Sequence, residues 1–241
     1  GPNGPYYQSE CSGIYAESYR KLEAMGLVYP CFCSRGELHA AEAPHTSDGR
    51  IIYAGTCSRL TEAERAAKEK LRRPAWRVRV TDEPICFHDA HYGAQSLRLT
   101  EECGDFILRR SDGVYAYQLA VVIDDALMGV TQVVRGCDLL SSTPMQIYLY
   151  RLLGFTPPSF CHIPLLTDAD GRRLAKRDGD LEISLLRKAY GAPEPIIGLL
   201  AYLAGQLERP EPLSAAELLP LFDAAKIPTQ NIVVPRELIH Q

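Results

Sequence analysis

The sequence lacks several features that would assign it to a class at once. It has no apolar run of the ~18 residues that a membrane-spanning helix needs, so we expect a cytoplasmic protein without membrane partners. Its 26 basic and 30 acidic residues give a net charge of −4, which excludes a globally basic nucleic-acid-binding surface, so any contact with RNA must be local. A Walker-type glycine loop and a Ser/His/Asp or Cys/His pattern are also missing, so a covalent nucleophile is not indicated.

The eight cysteines are unevenly spaced, and no secretory signal accompanies them. A disulfide framework is therefore not indicated, and we expect reduced thiols, some of them on a metal. The chain begins with Gly1-Pro2 instead of methionine, in a turn-rich stretch typical of a connection inside a larger protein. We therefore expect a further segment to precede it, although a Gly-Pro start is also typical of a cleavage scar.

Helical and extended patterns alternate over most of the chain. The predicted elements are a helix over Ser12–Met25, a helix after the capping box Thr61/Glu64, strands over Ala75–Val80, Phe106–Arg110 and Thr131–Arg135, an apolar buried element over Val114–Ile123, and a helix capped by Thr143 that ends at Gly154. Alternation of this kind favours an α/β fold.

The pattern changes after Arg177. The periodicity there is helical, and the candidate helices lie near Leu181–Tyr190, Pro195–Gln206 and Ser214–Ala225. We therefore expect a core over residues 1–177, with an irregular insertion at about 27–60, and a helical C-terminal region over 178–241.

Three cysteines of the irregular insertion could meet at one metal. Cys31 and Cys33 lie one residue apart, and Cys57 follows downstream, which gives three soft ligands for a tetrahedral zinc. The candidates for the fourth ligand are Tyr53, His39 and His45. The alternative is that these are small buried thiols without a metal. With four protein ligands, the zinc would be structural.

The stretch from Asp105 to Leu140 carries side chains suited to an amino-acid ligand. Arg135, at a predicted strand end, could hold a carboxylate in bidentate fashion, and the hydroxyl of Tyr117 could bond to an ammonium or an oxygen. The alternative is that Tyr117 is a core aromatic and that Arg135 pairs with Asp138 or Asp124.

A tight turn at Asp168-Ala169-Asp170-Gly171 precedes a dense basic cluster that ends at Arg177. Such a loop could reach over a triphosphate, where a lysine offsets the charge that develops in the transition state. A solvated run of charges is the alternative interpretation.

These motifs together resemble the catalytic core of bacterial glutamyl-tRNA synthetases and of their truncated relatives, the glutamyl-Q tRNA(Asp) synthetases. The resemblance covers about residues 1–177 and is carried by Tyr117–Asp125, Met128–Thr131, Val134–Gly136, Asp138–Leu140, Ser142–Pro144, Gln146, Leu149–Tyr150, His162–Leu165 and Arg173–Arg177. It implies the second half of a Rossmann-like class I catalytic core. The nucleotide-binding first half, with its His-Ile-Gly-His-like motif, is not part of this sequence.

The zinc-type motif and the short chain after Arg177 favour the glutamyl-Q branch, in which a tyrosine completes the zinc site. The resemblance therefore implies Cys31, Cys33, Tyr53 and Cys57 as zinc ligands. It also implies Tyr117 and Arg135 as the glutamate-binding pair. The ATP-binding loop would comprise Arg173, Leu174, Ala175, Lys176 and Arg177, with Lys176 as its catalytic lysine. Arg173 replaces the first lysine of the family's loop, and Ala175 replaces its serine.

The activity implied by the resemblance is the activation of L-glutamate by ATP with Mg²⁺ and its transfer to queuosine in the anticodon of tRNA(Asp). We expect a monomer. Two other functions are compatible with the residues. The chain could be a fragment of a glutamyl-tRNA synthetase that charges tRNA(Glu), or a non-catalytic, zinc-stabilised module that binds RNA.

Overall fold

The computed structural model describes residues 2–4, 6–40, 52–174 and 183–235. Its helices are α1 (Ser12–Ala24), α2 (Arg35–Ala40), α3 (Glu62–Glu69), α4 (Leu99–Glu102), α5 (Tyr117–Leu127), α6 (Thr143–Leu153), α7 (Ile183–Tyr190), α8 (Pro193–Leu203) and α9 (Ala215–Leu218). Its strands are β1 (Val28–Cys31), β2 (Ala75–Val78), β3 (Ile85–Asp89), β4 (Gly93–Leu97), β5 (Phe106–Arg109), β6 (Gln132–Gly136), β7 (Ser159–Ile163), β8 (Leu166–Thr167) and β9 (Ile232–Val233). The predicted α/β class is confirmed.

The described chain forms two compact units. The first comprises residues 1–88, 94–133 and 141–160, and the second comprises 89–93, 134–140 and 161–241. The predicted boundary at residue 177 lies outside the described residues, so the division into a core and a C-terminal region stays a prediction. No helix within the described part of the chain is long and apolar enough to cross a membrane.

The first unit contains a three-stranded antiparallel sheet with the order β1-β2-β5. Helices α1, α5 and α6 pack together beside it and supply most of the apolar core. Side chains from one face of α5, such as Leu119, Val122 and Ile123, have no solvent exposure. The predicted buried element over Val114–Ile123 is therefore mainly a helix, entered through a tight hairpin in which the amide of Arg110 donates to the carbonyl of Val114.

Local helix signals in the first unit agree with the sequence. Thr61 and Glu64 form the predicted capping box at the start of α3. Helix α6 ends at Gly154, whose φ of 76° is the left-handed conformation that glycine adopts without strain. The N-cap of α6 is Ser142, so the predicted cap at Thr143 is wrong by one residue.

The second sheet has four strands in the order β4-β3-β7-β6, and β8 pairs with β9 in parallel. Helices α7 and α8 lie where the sequence predicts them. The predicted helix over Ser214–Ala225 is wrong in its length, because α9 ends at Leu218 and short 3-10 turns follow around Pro220, which cannot continue an α-helix pattern of hydrogen bonds.

Candidate functional site: a thiol cluster and an arginine network

Three cysteines of the first unit converge on one point. The sulfur atoms of Cys31, Cys33 and Cys57, hereafter the thiol cluster, all lie within 4.8 Å of one another. Cys31 ends strand β1, and Cys57 lies in the 3-10 turn Thr56–Arg59. The Sγ atoms of Cys33 and Cys57 are 3.5 Å apart. Sulfur ligands of a tetrahedral zinc lie ~3.8 Å apart, given a Zn–S distance of about 2.3 Å, so the spacing of the thiols fits such an ion.

Tyr53 joins the thiol cluster through its hydroxyl. The hydroxyl accepts a hydrogen bond from the backbone amide of Cys57 at 2.8 Å and lies 3.5 Å from Sγ of Cys31. An oxygen ligand and a sulfur ligand of one zinc ion are separated by ~3.5 Å. Tyr53 is therefore placed where a fourth ligand would stand. His45 and the side chain of His39, the alternatives from the sequence, lie outside the described residues.

A glycine fixes the backbone of Tyr53. The amide of Tyr53 donates to the carbonyl of Cys103, and Gly104 forms a parallel bridge with Tyr53. Gly104 has a φ of 64°, and a Cβ atom there would lie 2.2 Å from the carbonyl oxygen of Tyr53. Only glycine permits this approach.

Arg77 is a buried cation beside the thiol cluster. It is 6% exposed, and its guanidinium lies 3.8 Å from the centre of the Tyr53 ring. Burial acts to raise the pKa of the Cys31 thiol, but the charge of Arg77 and hydrogen bonds from Tyr53 and Arg77 outweigh it, so the pKa is lowered. Burial, with the negative charge of Cys31, raises the pKa of Cys33 to about 12. Cys31 is thus the thiol of the cluster whose deprotonation the charge of Arg77 favours.

Tyr117 is the first residue of α5 and belongs to the first unit. It is 51% exposed, so the alternative that it is a core aromatic is wrong. Arg135 belongs to the second unit.

Arg135, which is half-buried, is part of a hydrogen-bonded network with the buried residues His162 and Asp89, hereafter the arginine network. The three residues lie on β6, β7 and β3, which are adjacent in the sheet order. Nε of Arg135 is 3.0 Å from Nε2 of His162, and Nδ1 of His162 is 2.6 Å from Oδ2 of Asp89. His162 and Asp89 have no solvent exposure.

The carboxylate of Asp89 has further donors. It accepts from the backbone amides of His91, Tyr92 and His162 at distances of 2.9–3.2 Å. Burial opposes its charge, but the hydrogen bonds from His162 and these amides keep its pKa below the ordinary value. Burial lowers the pKa of His162, and the charge of Arg135 acts in the same direction. The hydrogen bond to Asp89 opposes these two effects, but the pKa stays below the ordinary value, which favours a neutral imidazole at pH 7.

The two acids that were alternative partners of Arg135 each accept hydrogen bonds from other residues. Asp138 accepts a hydrogen bond of 2.5 Å from Arg173. Asp124 accepts from the hydroxyl of Tyr15 at 2.7 Å and from the side chain of Gln8 at 2.8 Å. Arg135 itself donates to His162, which sequence analysis did not identify as its partner.

The start of the predicted ATP-binding loop is described. The turn before it is confirmed, because the amide of Gly171 donates to Asp168 and the amide of Asp168 donates to Arg172. Arg173 then pairs with Asp138, and the amide of Leu174 donates to Leu166. Ala175, Lys176 and Arg177 lie outside the described residues, so their roles stay predictions.

Sequence reasoning missed Asp89, His162 and Arg77 as members of these sites. His162 carried a signal, since His162–Leu165 is one of the motifs of the resemblance. Asp89 and Arg77 lie in strands with no motif around them, so only the pairing of the strands reveals their positions.

Comparison with known proteins gives a consistent family. The model for the catalytic domain of class I tRNA synthetases (E and Q) matches residues 1–222. The glutamyl-Q tRNA(Asp) synthetase of Symbiobacterium thermophilum is 50% identical over 243 residues, which covers 99% of this chain and 75% of that protein. The protein of the same name from Nitratidesulfovibrio vulgaris is 50% identical over 242 residues and is covered to 74%.

Solved structures give the same fold. The glutamate-tRNA synthetase from Elizabethkingia anophelis superposes with a TM-score of 0.76 at 26% identity, over 98% of this chain and 54% of that one. This chain thus spans about half the length of that solved relative. The thiols, the exposed tyrosine and the arginine network lie within a sequence that is matched almost throughout. The chain therefore belongs to the class I aminoacyl-tRNA synthetases of the glutamyl and glutaminyl type, and within them to the glutamyl-Q tRNA(Asp) synthetase family.

Proposed function

We propose that the protein activates L-glutamate with ATP and Mg²⁺ and transfers it to the queuosine base in the anticodon of tRNA(Asp). The observation that carries this proposal is the 50% identity, over 99% of the chain, to relatives named for this activity. The alternative of a fragment that charges tRNA(Glu) has weaker support, because a relative named glutamate–tRNA ligase is 44% identical and covers 84% of the chain.

The reaction has two steps. A carboxylate oxygen of glutamate attacks the α-phosphorus of ATP, the bond to pyrophosphate breaks, and glutamyl-adenylate forms. A hydroxyl of queuosine then attacks the glutamyl carbonyl, and AMP leaves with the bonding electron pair. Neither step needs a covalent enzyme intermediate, so the chain's main contributions are alignment of the reactants and stabilisation of charge.

Arg135 is the residue that we assign to a carboxylate of glutamate. Its Nε donates to the imidazole of His162, and a neutral imidazole restrains the guanidinium without neutralising its charge for a planar anion. Tyr117 is half exposed at the start of α5, where its hydroxyl could bond to the substrate ammonium or an oxygen.

Lys176 would offset the charge of the triphosphate within the loop Arg173–Arg177. The ion pair of Arg173 with Asp138 supports this assignment, because it attaches the start of the loop to the segment that follows Arg135. The lysine at the end of such a segment can then approach the phosphates as a mobile point charge.

The thiol cluster and Tyr53 would hold a structural zinc. Three converging thiols, of which Cys31 and Cys57 are buried, with a lowered pKa at Cys31 and a hydroxyl at 3.5 Å from that sulfur, form a donor set that suits zinc. The ion would join β1 to the turn around Cys57, and four protein ligands leave no position for a substrate.

We also propose that residues 1–177 form the catalytic core and that residues 178–241 form a separate region.

The deciding experiment measures transfer of labelled glutamate, with ATP, by the full-length protein to unfractionated tRNA that contains or lacks queuosine. We expect incorporation only with queuosine-containing tRNA. Incorporation into both pools would instead identify an enzyme that charges tRNA(Glu). No incorporation, with no exchange of pyrophosphate into ATP, would contradict the enzymatic function and favour a zinc-stabilised RNA-binding module.

A further inference from the structure

We propose that His162 and Asp89 are positioning residues that set the plane of the Arg135 guanidinium for the carboxylate of glutamate. This inference rests on the proposed role of Arg135 in glutamate binding. It concerns two residues that have no solvent exposure and that would act on Arg135 through a defined pair of hydrogen bonds.

The direction of each hydrogen bond follows from the chemistry of the groups. An ionised carboxylate only accepts, so Nδ1 of His162 carries the proton that Asp89 receives. Nε2 of a neutral imidazole is then an acceptor, and the Nε–H of an arginine can only donate to it. The other tautomer would place two N–H donors against each other at Nε2. One arrangement of protons therefore satisfies all three side chains.

Asp89 is held in place by backbone donors as well as by the ring of His162. Its carboxylate caps the turn after β3 by accepting from the amides of His91 and Tyr92 at 3.0 and 2.9 Å. The amide of His162 also donates to it. The carboxylate therefore fixes both the backbone and the ring of His162, and the ring in turn fixes Arg135.

The nature of the partner matters for the charge of Arg135. A carboxylate at Nε would neutralise the guanidinium before glutamate arrives, whereas a neutral imidazole restrains it without neutralising it. A second hydrogen bond restrains the terminal end of the same guanidinium. It runs from Nη2 of Arg135 to the carbonyl of Leu139 at 3.4 Å. The cation is thus oriented in advance of binding.

The test compares glutamate and ATP affinities, by calorimetry, in four variants of the full-length protein. Arg135→Gln removes the proposed ligand group. His162→Leu removes the imidazole, and His162→Gln restores an acceptor for Arg135 and a donor for Asp89. His91→Gln is the matched control. This histidine lies in the turn after β3, and its ring bonds to the carbonyl of Pro228 and, among the residues that the structure describes, not to Arg135 or Asp89.

We expect His162→Leu to weaken glutamate binding about ten- to a hundredfold while ATP binding changes less than about twofold. His162→Gln should recover most of the affinity, and His91→Gln should match the wild type. If Arg135→Gln leaves glutamate affinity unchanged, the proposed role of Arg135 is wrong, and the inference falls with it. If Arg135→Gln weakens binding and His162→Leu does not, the inference alone is overturned.

A second measurement covers the case in which His162→Leu fails to fold. The ¹⁵N chemical shifts of the imidazole in the wild-type protein identify the protonated ring nitrogen. We expect a neutral ring with the proton on Nδ1 at pH 7. A proton on Nε2, or a doubly protonated ring, would overturn the inference whatever the variants do.

Discussion

The thiol cluster of the first unit and the arginine network of the second both bury polar groups at strand ends, but they are complete to different degrees. In the arginine network each described donor faces an acceptor, from the amides around Asp89 to Nε of Arg135. In the thiol cluster, the sulfur atoms of Cys33 and Cys57 lie 3.5 Å apart, and a thiol is only a weak hydrogen-bond donor and acceptor. The thiol cluster is therefore suited to bind a cation. The arginine network already contains a cation, the guanidinium of Arg135, which hydrogen bonds hold in place.

This difference has consequences for stability. A site of converging thiols gains its free energy when a metal binds, because the ligands must otherwise stay protonated and buried. A network of matched hydrogen bonds stabilises the fold without any added ion. Removing one member destabilises the fold most when the partner of that member stays buried without a hydrogen bond. Removal of zinc should therefore affect the thiol cluster strongly.

The largest effect should come from Cys33→Ser, which takes one thiol from the cluster. We expect bound zinc to be lost and the free energy of unfolding of the first unit to fall by at least ~3 kcal/mol. Metal analysis and hydrogen exchange of the amides around Tyr53 and Cys57 provide the measurement.

Cys86→Ser is the control for that experiment, since Cys86 is exposed and bonds to Ser96 outside the cluster. Zinc retained at the wild-type level in Cys33→Ser would contradict the proposal that the thiol cluster, unlike the arginine network, depends on a bound metal.

Tyr53→Phe should have the next largest effect. It removes the hydroxyl beside Cys31 and leaves the amide of Cys57 without its acceptor. We expect zinc affinity, measured by competition with a chromophoric chelator, to fall about 10- to 100-fold. Tyr29→Phe is the matched control, because that ring packs in the same cluster but its hydroxyl donates to Asp105. Equal affinities in the two variants would exclude Tyr53 as a ligand.

Arg77→Met tests the contribution of charge to the thiol cluster. The variant keeps the length of the side chain but removes the cation that favours a thiolate at Cys31. We expect zinc affinity to fall about tenfold at fixed pH. The exposed Arg20, which bonds within its own helix, provides the control Arg20→Met. An unchanged affinity would mean that the thiols alone determine metal binding.

The smallest effect should appear on acidification of the arginine network. His162 and Asp89 both have pKa values below their ordinary ones, so each contributes stability that is present above its unfolded pKa and is lost as pH falls toward its folded pKa. The charged groups that act on the ring of His162 are Asp89, Arg135 and Asp138.

We therefore expect wild-type stability to decline as pH falls below about 6.5, and to decline less in His162→Gln, which has no imidazole to protonate. Chemical denaturation of both proteins over a pH series measures this. A steeper decline in His162→Gln than in the wild type would contradict a neutral imidazole in the folded protein.

Local signals in the sequence were sufficient for part of this structure. The capping box at Thr61 and the helix stop at Gly154 are set by neighbours in the chain, and both are confirmed. The convergence of Cys31, Cys33 and Cys57 is also confirmed as geometry, because soft ligands at close spacing carry their own signal. Whether zinc binds there stays a prediction.

The features that sequence reasoning missed depend on distant contacts. Asp89 and His162 meet because β3 and β7 are neighbours, and the register of strands so far apart is not encoded in either segment. The two-residue strand β9 is too short to produce a pattern. Helical spacing over Ser214–Ala225 predicted one helix. Pro220 has no backbone N–H to donate, so the α-helical hydrogen bonds do not continue past it.

Gly104 has a consequence for how variants of this protein would be interpreted. It has no side chain and donates nothing to a metal, yet its close approach to the carbonyl of Tyr53 leaves no room for even a methyl group. Any replacement would displace the backbone that carries the tyrosine hydroxyl. In a survey of random variants, this glycine should therefore have the phenotype of a lost ligand, although it supplies none.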